Sequence, residues 1–333
     1  MSARGEKELL AATRPFARPT WARGLRQAAD TSVAIAACGA VMVMDSFGWW
    51  RLAVAPILGL LFVRVFLLQH DAGHSSLLPG RRGNSIVGHA ASVLIGIPFE
   101  PFRTEHAWHH KIQGRLDLRG FDHFDPVTDD EAKTDRSARW RGHPLHVLGQ
   151  NLGSLLWFRK FRGAYYMYRR AGGERPHNHR AITASLWFNA LSHGLLQASV
   201  FAAGGVMAWT VLNLALGVSL LVGTVLMWVQ HNFETVLHFE DPKEWSFVRI
   251  ALEGTSWMKV PAMVGWFFAD ATIHHVHHLN PAIPNYRLEE ARRALPEVAA
   301  VEPLSARDVV RCFTHTIWSR REKKMVPYRS VVS

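Results

Sequence analysis

Residues 52–74 read LAVAPILGLLFVRVFLLQHDAGH, an apolar run that leads directly into a pair of histidines. The part 52–68 approaches the length of about 17 to 25 residues that a helix needs to span a bilayer. His70 and His74 follow it four residues apart, so on a helix both imidazoles lie on one face. This stretch predicts a membrane helix that ends in metal ligands.

Two further clusters repeat the histidine spacing. They read His106-Ala-Trp-His109-His110 and His274-His275-Val-His277-His278. Positions three and four apart share a helix face, whereas His275 follows His274 directly and points elsewhere. Together the three clusters offer eight converging imidazoles, more than one ion takes, which indicates a dinuclear centre. His231, just past the last apolar run, is a ninth candidate ligand.

The other apolar residues are concentrated in blocks, and 48% of the chain is hydrophobic. We expect four membrane-spanning helices, at about 31–50, 52–68, 181–203 and 206–229. Residues 86–98 are too short to cross and indicate a re-entrant or interfacial segment. The predicted fold class is an all-α integral membrane protein with four transmembrane helices and a cytosolic helical cap that holds a histidine-rich di-metal site.

Arginine and lysine predict the orientation of these helices. The N-terminal arm, residues 81–180 and the tail after Lys243 are basic, whereas the turns near 45–51 and 204–205 are short. Basic segments stay in the cytoplasm, so we expect both termini there and Trp49, Trp50 and Trp209 at the far interface. The predicted parts are a cytosolic arm 1–30, a transmembrane region 31–230 that includes cap residues 99–180, and the rest of the cap 231–333.

The net charge of +11 is expected to attract anionic lipid headgroups. Two basic blocks, 159–170 and 320–324, are also candidate docking sites for an acidic electron donor. Nucleic-acid binding is not expected, because no binding fold or stacking pattern accompanies the charge.

The donor set narrows the choice of metal only in part. Imidazole suits iron, zinc and copper. Cys38 and Cys312 lie away from the histidine clusters, which disfavours both a structural zinc site and a disulfide framework. A pair of irons with open positions could activate dioxygen, and its location at a membrane surface favours a hydrocarbon-like substrate.

The joint pattern resembles the membrane fatty acid desaturase superfamily, and most closely its bacterial omega-6 members. Besides the three clusters, the matching stretches are Gln230-His231-Asn232-Phe233-Glu234 and Ile283-Pro284-Asn285-Tyr286-Arg287-Leu288. The resemblance covers roughly residues 60–290. It implies two non-heme iron ions, O2 as co-substrate, a fatty acid or acyl-lipid substrate, and a ferredoxin-like external electron donor with its reductase. It also implies the inner (cytoplasmic) membrane of a bacterium.

Carried over position by position, the resemblance implies nine ligands: His70, His74, His106, His109, His110, His231, His274, His277 and His278. We expect no catalytic side chain beyond these ligands. Three carboxylates, Asp71, Glu234 and Asp270, are candidates to orient ligating imidazoles. The chain departs from the omega-6 pattern at Asp270 and Thr272, where that group usually has an Asn and a Gly.

The predicted function is an O2-dependent fatty acyl desaturase. Within the superfamily, a hydroxylase, an acetylenase and a terminal-alkene-forming fatty acid decarboxylase are alternatives, because small differences in chain placement select among these products. A membrane metal transporter is the non-enzyme alternative. A transporter would place its ligands near the membrane midplane, whereas these clusters follow the ends of the apolar runs.

Overall fold

The computed structural model describes residues 5–118, 124–150, 152 and 179–332, and most of them are helical. The longer helices are α1 (Glu6–Thr13), α2 (Trp21–Val43), α3 (Val54–Gly73), α4 (Arg81–Ile95) and α5 (Phe99–Ile112). Short helices follow, α6 (Asp129–Thr134), α7 (Arg136–Arg141) and α8 (Pro144–Gly149), and then the long α9 (His179–His231). The C-terminal part contains α10 (Phe247–Glu253), α11 (Ala262–Phe267), α12 (His274–Leu279), α13 (Leu288–Ala294), α14 (Pro296–Ala299), α15 (Ala306–Arg311) and α16 (Tyr328–Val332). Single 3₁₀ turns occupy Arg14–Phe16, Leu116–Leu118 and Asn285–Arg287, and a longer 3₁₀ segment occupies Asp45–Ala53.

Helices α2 and α3 form an antiparallel hairpin. The 3₁₀ segment Asp45–Ala53 connects them, with Gly48 at φ 49° where the chain turns. Across the hairpin, Arg64 Nε donates to Thr31 Oγ1 at 2.8 Å. The predicted span 31–50 differs from α2, because a cap by Thr20 starts the helix at Trp21 and the chain leaves the α conformation after Val43.

Helix α9 is a second hairpin, because it consists of two helices joined by a turn at Gly205. Gly205 has φ 66° and ψ −162°, which no α-helix contains. Asn213 Nδ2 donates to Gln197 Oε1 at 3.2 Å across 16 residues, whereas a straight helix would separate these residues by about 24 Å. The arms before and after Gly205 therefore run antiparallel, and they correspond to the predicted spans 181–203 and 206–229.

Two helical segments in the described part of the chain are long and apolar enough to cross a membrane, Asp45–Gly73 and His179–His231. The pair α4 and α5 meets the same criterion as one unit but is bent by 106° between its halves. Helix α2 does not meet it, since its first half contains Arg23, Arg26 and Asp30. The expected total of four spans stays a prediction.

Helix α4 ends inside the protein, and side chains of α9 bind its last carbonyls. Gly96 follows the helix in the left-handed conformation, at φ 64°. Asn189 Nδ2 donates to the carbonyl oxygen of Ser92 at 2.6 Å, and His193 Nδ1 lies 2.8 Å from that of Val93. A helix end without water needs such donors, so these contacts stabilise the sharp bend into α5.

The two hairpins pack side by side with their turns at the same end. A Cβ atom added to Gly204 would lie 3.1 Å from the Cα of Val43. Near mid-hairpin, a Cβ on Gly59 would lie 2.9 Å from the carbonyl oxygen of Ala215, so glycine permits close contact of α3 with α9. Trp49 and Trp50 lie at this end and are 77% and 80% exposed.

The opposite end contains both terminal regions. Leu9 of α1 packs with Ile273 and Val276 in one apolar cluster. The backbone N–H of Met325 donates to the carbonyl of Glu234 at 2.9 Å. The N-terminal segment, the histidine-bearing helix ends and residues 232–332 are thus assembled at one end of the hairpins.

A small sheet departs from the predicted all-α class. Strands β1 (Val127–Thr128), β2 (Ile317–Ser319) and β3 (Lys324–Val326) form it in that order, with β1 parallel and β3 antiparallel to β2. Strands of two or three residues are too short to show an alternating pattern in the sequence. The sheet attaches the C-terminal tail to the segment after α5.

Candidate metal centre

The histidines lie where helices end. His70 is in the last turn of α3 and His74 caps it, while His106, His109 and His110 occupy the last two turns of α5. His231 is the final residue of α9. His274, His277 and His278 belong to the six-residue helix α12. All nine are buried except His74, which is half-buried.

Five imidazoles form a first group that could hold a metal ion. Their candidate donor nitrogens all lie within 4.8 Å of one another, and the members are His70, His74, His106, His110 and His277. His110 Nε2 is 3.0 Å from His106 Nε2 and 3.0 Å from His277 Nε2. Residues from α3, α5 and α12 thus meet at one point.

A second group of the same kind lies beside the first. Its members are His109, His231 and His278, again with donor nitrogens within 4.8 Å. His274 lies outside both groups but contacts the second, because its Nε2 is 3.0 Å from that of His231. The structure therefore brings together all nine histidines that the sequence singled out.

The arrangement fits metal ions in two respects. Two nitrogens bonded to one ion at about 2.1 Å and at right angles are about 3.0 Å apart, which matches the closest contacts here. His74 Nε2 is a buried ring nitrogen with no hydrogen-bond partner among the described residues. Converging imidazoles that leave a buried ring nitrogen without a hydrogen-bond partner are a suitable donor set for metal ions.

Burial favours the neutral form of the clustered imidazoles in α12. It lowers the pKa of His274, His277 and His278 well below the ordinary value, and the neighbouring histidines lower it further. Neutral imidazole has the free lone pair that a metal requires.

Of the three expected carboxylates, Asp71 is the one that the described structure places against a clustered histidine. Its Oδ1 is 3.1 Å from His70 Nδ1, and its Oδ2 accepts from the backbone N–H of Asn285 at 2.8 Å. A carboxylate at Nδ1 fixes the imidazole with Nε2 directed to the metal.

The other two carboxylates have different neighbours. Glu234 forms an ion pair with Arg311 at 2.6 Å. Asp270 lies in a left-handed turn at φ 52°, where burial raises the pKa of its carboxyl and the charge of Arg64 opposes that rise. Asp270 is thus associated with Arg64 rather than with a ligand group.

Arg64 connects the membrane helices to the segment that precedes α12. It is 1% exposed, and its guanidinium donates to Thr31 Oγ1 and to the carbonyl oxygen of Trp266 in α11. The same group lies 4.1 Å from the centroid of the Trp266 ring. Arg64 therefore fixes α11 on α3, and α11 leads through the turn at Asp270 to His274. Sequence reasoning missed this role, although an arginine within an apolar run was a signal for it.

His275 points away from both groups, in agreement with its position next to His274. It is fully buried, its Nε2 is 3.3 Å from the carbonyl oxygen of Val298, and its ring centroid is 6.0 Å from that of Trp257. Burial lowers its pKa to about 4. Asn285 was quoted in the sequence pattern without a role, and the structure assigns it the contact with Asp71.

Comparison with known proteins gives a consistent result. The family model described as fatty acid desaturase matches residues 47–307. A fatty acid desaturase of Bacillus subtilis (strain 168) is 27% identical over 339 residues, covering 98% of this chain and 92% of that protein. The sn-1 oleoyl-lipid 12-desaturase of Anabaena variabilis is 26% identical over 77% of this chain and 74% of its own length. A chloroplastic sn-2 acyl-lipid omega-3 desaturase (ferredoxin) of Helianthus annuus is 26% identical over 81% of this chain and 60% of its own length.

Proposed function

This chain belongs to the fatty acid desaturase family and is an oxidoreductase, and from that premise we propose that it is a membrane-bound, O2-dependent, non-heme di-iron desaturase of fatty acyl chains. The observation that supports this most is the convergence of eight histidines into two adjoining groups near the ends of apolar helices, with His274 beside the second group. The metal transporter considered from the sequence is set aside, because the relatives are enzymes.

We propose that each histidine group binds one iron. His70, His74, His106, His110 and His277 would hold the first, and His109, His231 and His278 with the adjacent His274 the second. When bound, the iron pair would supply the oxidising power that removes hydrogen from an unactivated methylene. Asp71 would keep the His70 ring oriented, and Arg64 would keep α12 in place.

The proposed setting is the inner membrane of a bacterium, with four spans and both termini in the cytoplasm. The adjacent turns near Val43 and Gly204 support this, since two hairpins with turns together have all four other ends together. The basic N-terminal arm and tail lie at that end, as positively charged segments on the cytoplasmic side do. The basic block 159–170 lies outside the described residues.

The proposed substrate is an acyl chain in a lipid or a free fatty acid, and the electrons come from a ferredoxin-like donor with its reductase. The names of the Anabaena and Helianthus relatives, an oleoyl-lipid and an acyl-lipid desaturase, support these assignments.

Product analysis tests the reaction. The protein would be expressed in a host rich in saturated lipid, and fatty acids and volatile hydrocarbons would be profiled by mass spectrometry. New unsaturated acids are expected. Hydroxy acids, acetylenic acids or terminal alkenes one carbon shorter would instead assign one of the other reactions of the superfamily.

A matched pair of variants connects the product to the histidine groups. His109→Ala should abolish iron loading and product while membrane insertion stays intact. His315→Ala is the control, because His315 contacts Thr314 at 2.9 Å and belongs to neither group. Normal iron content and turnover in His109→Ala would remove His109 from the ligand set.

A further inference from the structure

A cavity of about 410 Å³ opens between α13, α14 and the segment before α11. It lies outside both histidine groups. Three of its lining side chains are basic, Lys259, Arg292 and Arg293, and two are acidic, Glu289 and Glu302. Trp257 forms part of its wall, under the guanidinium of Arg292 at 4.4 Å.

The basic side chains are not fully neutralised by the acidic ones. Both carboxylate oxygens of Glu289 are occupied, one by Arg292 Nε and the other by Arg293 Nε, each at 2.6 Å. Lys259 is exposed, and it forms no ion pair with any residue that the structure describes. A concave site with excess guanidinium and ammonium groups suits an oxyanion such as phosphate.

The cavity borders the membrane-embedded part of the chain. Lys259 precedes α11, and α11 is attached to α3 through the Arg64 contact with the Trp266 carbonyl. Arg64 lies six residues before His70 in the candidate span, which places it about 9 Å deeper along the helix. Met263 of α11 is 72% exposed. An exposed apolar side chain close to basic ones is the pattern of a segment at the level of lipid headgroups.

The cavity also adjoins the metal centre. The Trp257 ring in its wall lies 6.0 Å from the ring of His275, centroid to centroid. His275 is the direct neighbour of His274 on α12. A molecule held in the cavity is therefore separated from the histidine-bearing helix by one layer of side chains.

We propose that this cavity binds the phosphate group of a membrane phospholipid, with Lys259 and Arg293 as its main ligands. For its biological role this inference rests on the proposed function, because the bound lipid is then the carrier of the acyl substrate. The binding itself requires no iron and no turnover, so it can be measured separately from the enzymatic reaction.

Native mass spectrometry of the detergent-solubilised full chain tests the proposal. The probes are dioctanoyl phosphatidylglycerol, dioctanoylglycerol, which lacks the phosphate, and inorganic phosphate as a competitor. The unaltered chain should retain the phospholipid in preference to dioctanoylglycerol. The double variant Lys259→Gln, Arg293→Gln should bind the phospholipid roughly tenfold more weakly. Both side chains are exposed, so unfolding is not expected, and an unchanged melting temperature verifies this.

A matched control separates site binding from general charge. Arg307→Gln, Arg321→Gln removes two exposed cations that do not line the cavity and should leave the affinity unchanged. The proposal would be overturned if this control weakened phospholipid binding equally. It would also be overturned if dioctanoylglycerol were retained equally, or if equimolar inorganic phosphate displaced the phospholipid fully. The proposal would also be overturned if the cavity variant bound phospholipid as before but no longer bound a reduced ferredoxin, since the cavity would then serve a protein partner. Restored affinity in Lys259→Arg, Arg293→Lys would support it.

Discussion

Asp71 illustrates how one side chain can position another in the candidate metal centre. It bridges His70 of the first cluster and the backbone of Asn285, which is far away in the sequence. Glu234, which seemed equivalent in the sequence, is paired with Arg311 instead. We therefore expect substitutions of these two carboxylates to have different effects on metal binding.

Asp71→Asn should weaken metal binding by about 10- to 100-fold, because the imidazole of His70 loses the charged acceptor that fixes its orientation and raises its basicity. Titration of the metal-free protein with ferrous iron measures this. Glu234→Gln is the control and should retain the original affinity. Equal affinities in both variants would show that Asp71 has no positioning role.

The buried imidazoles also predict how the metal-free protein responds to acid. The pKa values of His274, His277 and His278 are lowered by folding, first through burial. In the unfolded chain histidine titrates near pH 6.5, so below about that pH the unfolded state binds more protons than the folded state. The free energy of unfolding should be greatest above this pH and should decrease as the pH falls from there toward the lowered pKa values.

Thermal unfolding of the metal-free protein at a series of pH values measures this effect. The melting temperature should decrease between about pH 7 and pH 5.5, and bound iron should shift the onset to lower pH because the metal competes with protons. A melting temperature that is constant over this range would show that the imidazoles are not kept neutral by burial.

The histidines could be selected from the sequence because the relevant geometry is local. Spacings of three and four residues place imidazoles on one face of α5 and α12, and His275 is excluded by the same rule. The contacts of Asp71 with Asn285 and of Trp257 with His275 join distant segments. A single sequence contains no periodic signal for such contacts.

The helices show where membrane spans can be predicted from the length of an apolar run and where this prediction fails. The predicted span 52–68 lies inside the apolar helical segment Asp45–Gly73, and the two spans near Gly205 match the arms of α9. The predicted span 31–50 does not coincide with α2, because α2 begins in a polar stretch around Arg23 and Arg26. Hydropathy detects the apolar part of a helix, whereas capping residues and turns determine its limits.

The end of α4 depends on side chains of another element. Asn189→Leu and His193→Leu each remove the side-chain donor to one of its last carbonyls. Each substitution should cost about 1–3 kcal/mol of stability, because a carbonyl away from water is left without a partner. Thermal unfolding in detergent measures the loss.

Ser192→Ala is the matched control on the same arm of α9. The Ser192 hydroxyl is exposed and bonds to the carbonyl of Phe188 within its own helix, so this variant should unfold at the original temperature. If His193→Leu and Ser192→Ala were equally stable, the bend between α4 and α5 would not depend on these contacts.

The complete chain has two different ends, an arrangement that no single element shows. The two hairpin turns lie together at one end, and the histidines and both terminal regions lie together at the other. The sequence predicted this sidedness from the positions of the clusters after the apolar runs. It did not predict the sheet, because β1 and β2 are short and distant in sequence, and their pairing is specified by the tertiary fold.

The two different ends predict a membrane topology in which the histidine end is cytoplasmic and the hairpin turns lie on the other side. Alkaline phosphatase fused after residue 333 should be inactive in a bacterial host, and the same reporter inserted at Gly48 or Gly205 should be active, since that enzyme requires export. Both insertion points are turns with φ above zero, where an insertion disturbs the fewest helical hydrogen bonds. An active C-terminal fusion would contradict the proposed cytoplasmic location of the histidine end.

Elemental analysis of the purified, active protein tests the proposed dinuclear centre most directly. Two adjoining groups of histidines, with His274 beside the second, predict two iron atoms per chain. They also predict that His109→Ala loses its iron while remaining inserted in the membrane. Active protein that contains no iron, or only a single metal ion per chain, would contradict the di-iron interpretation.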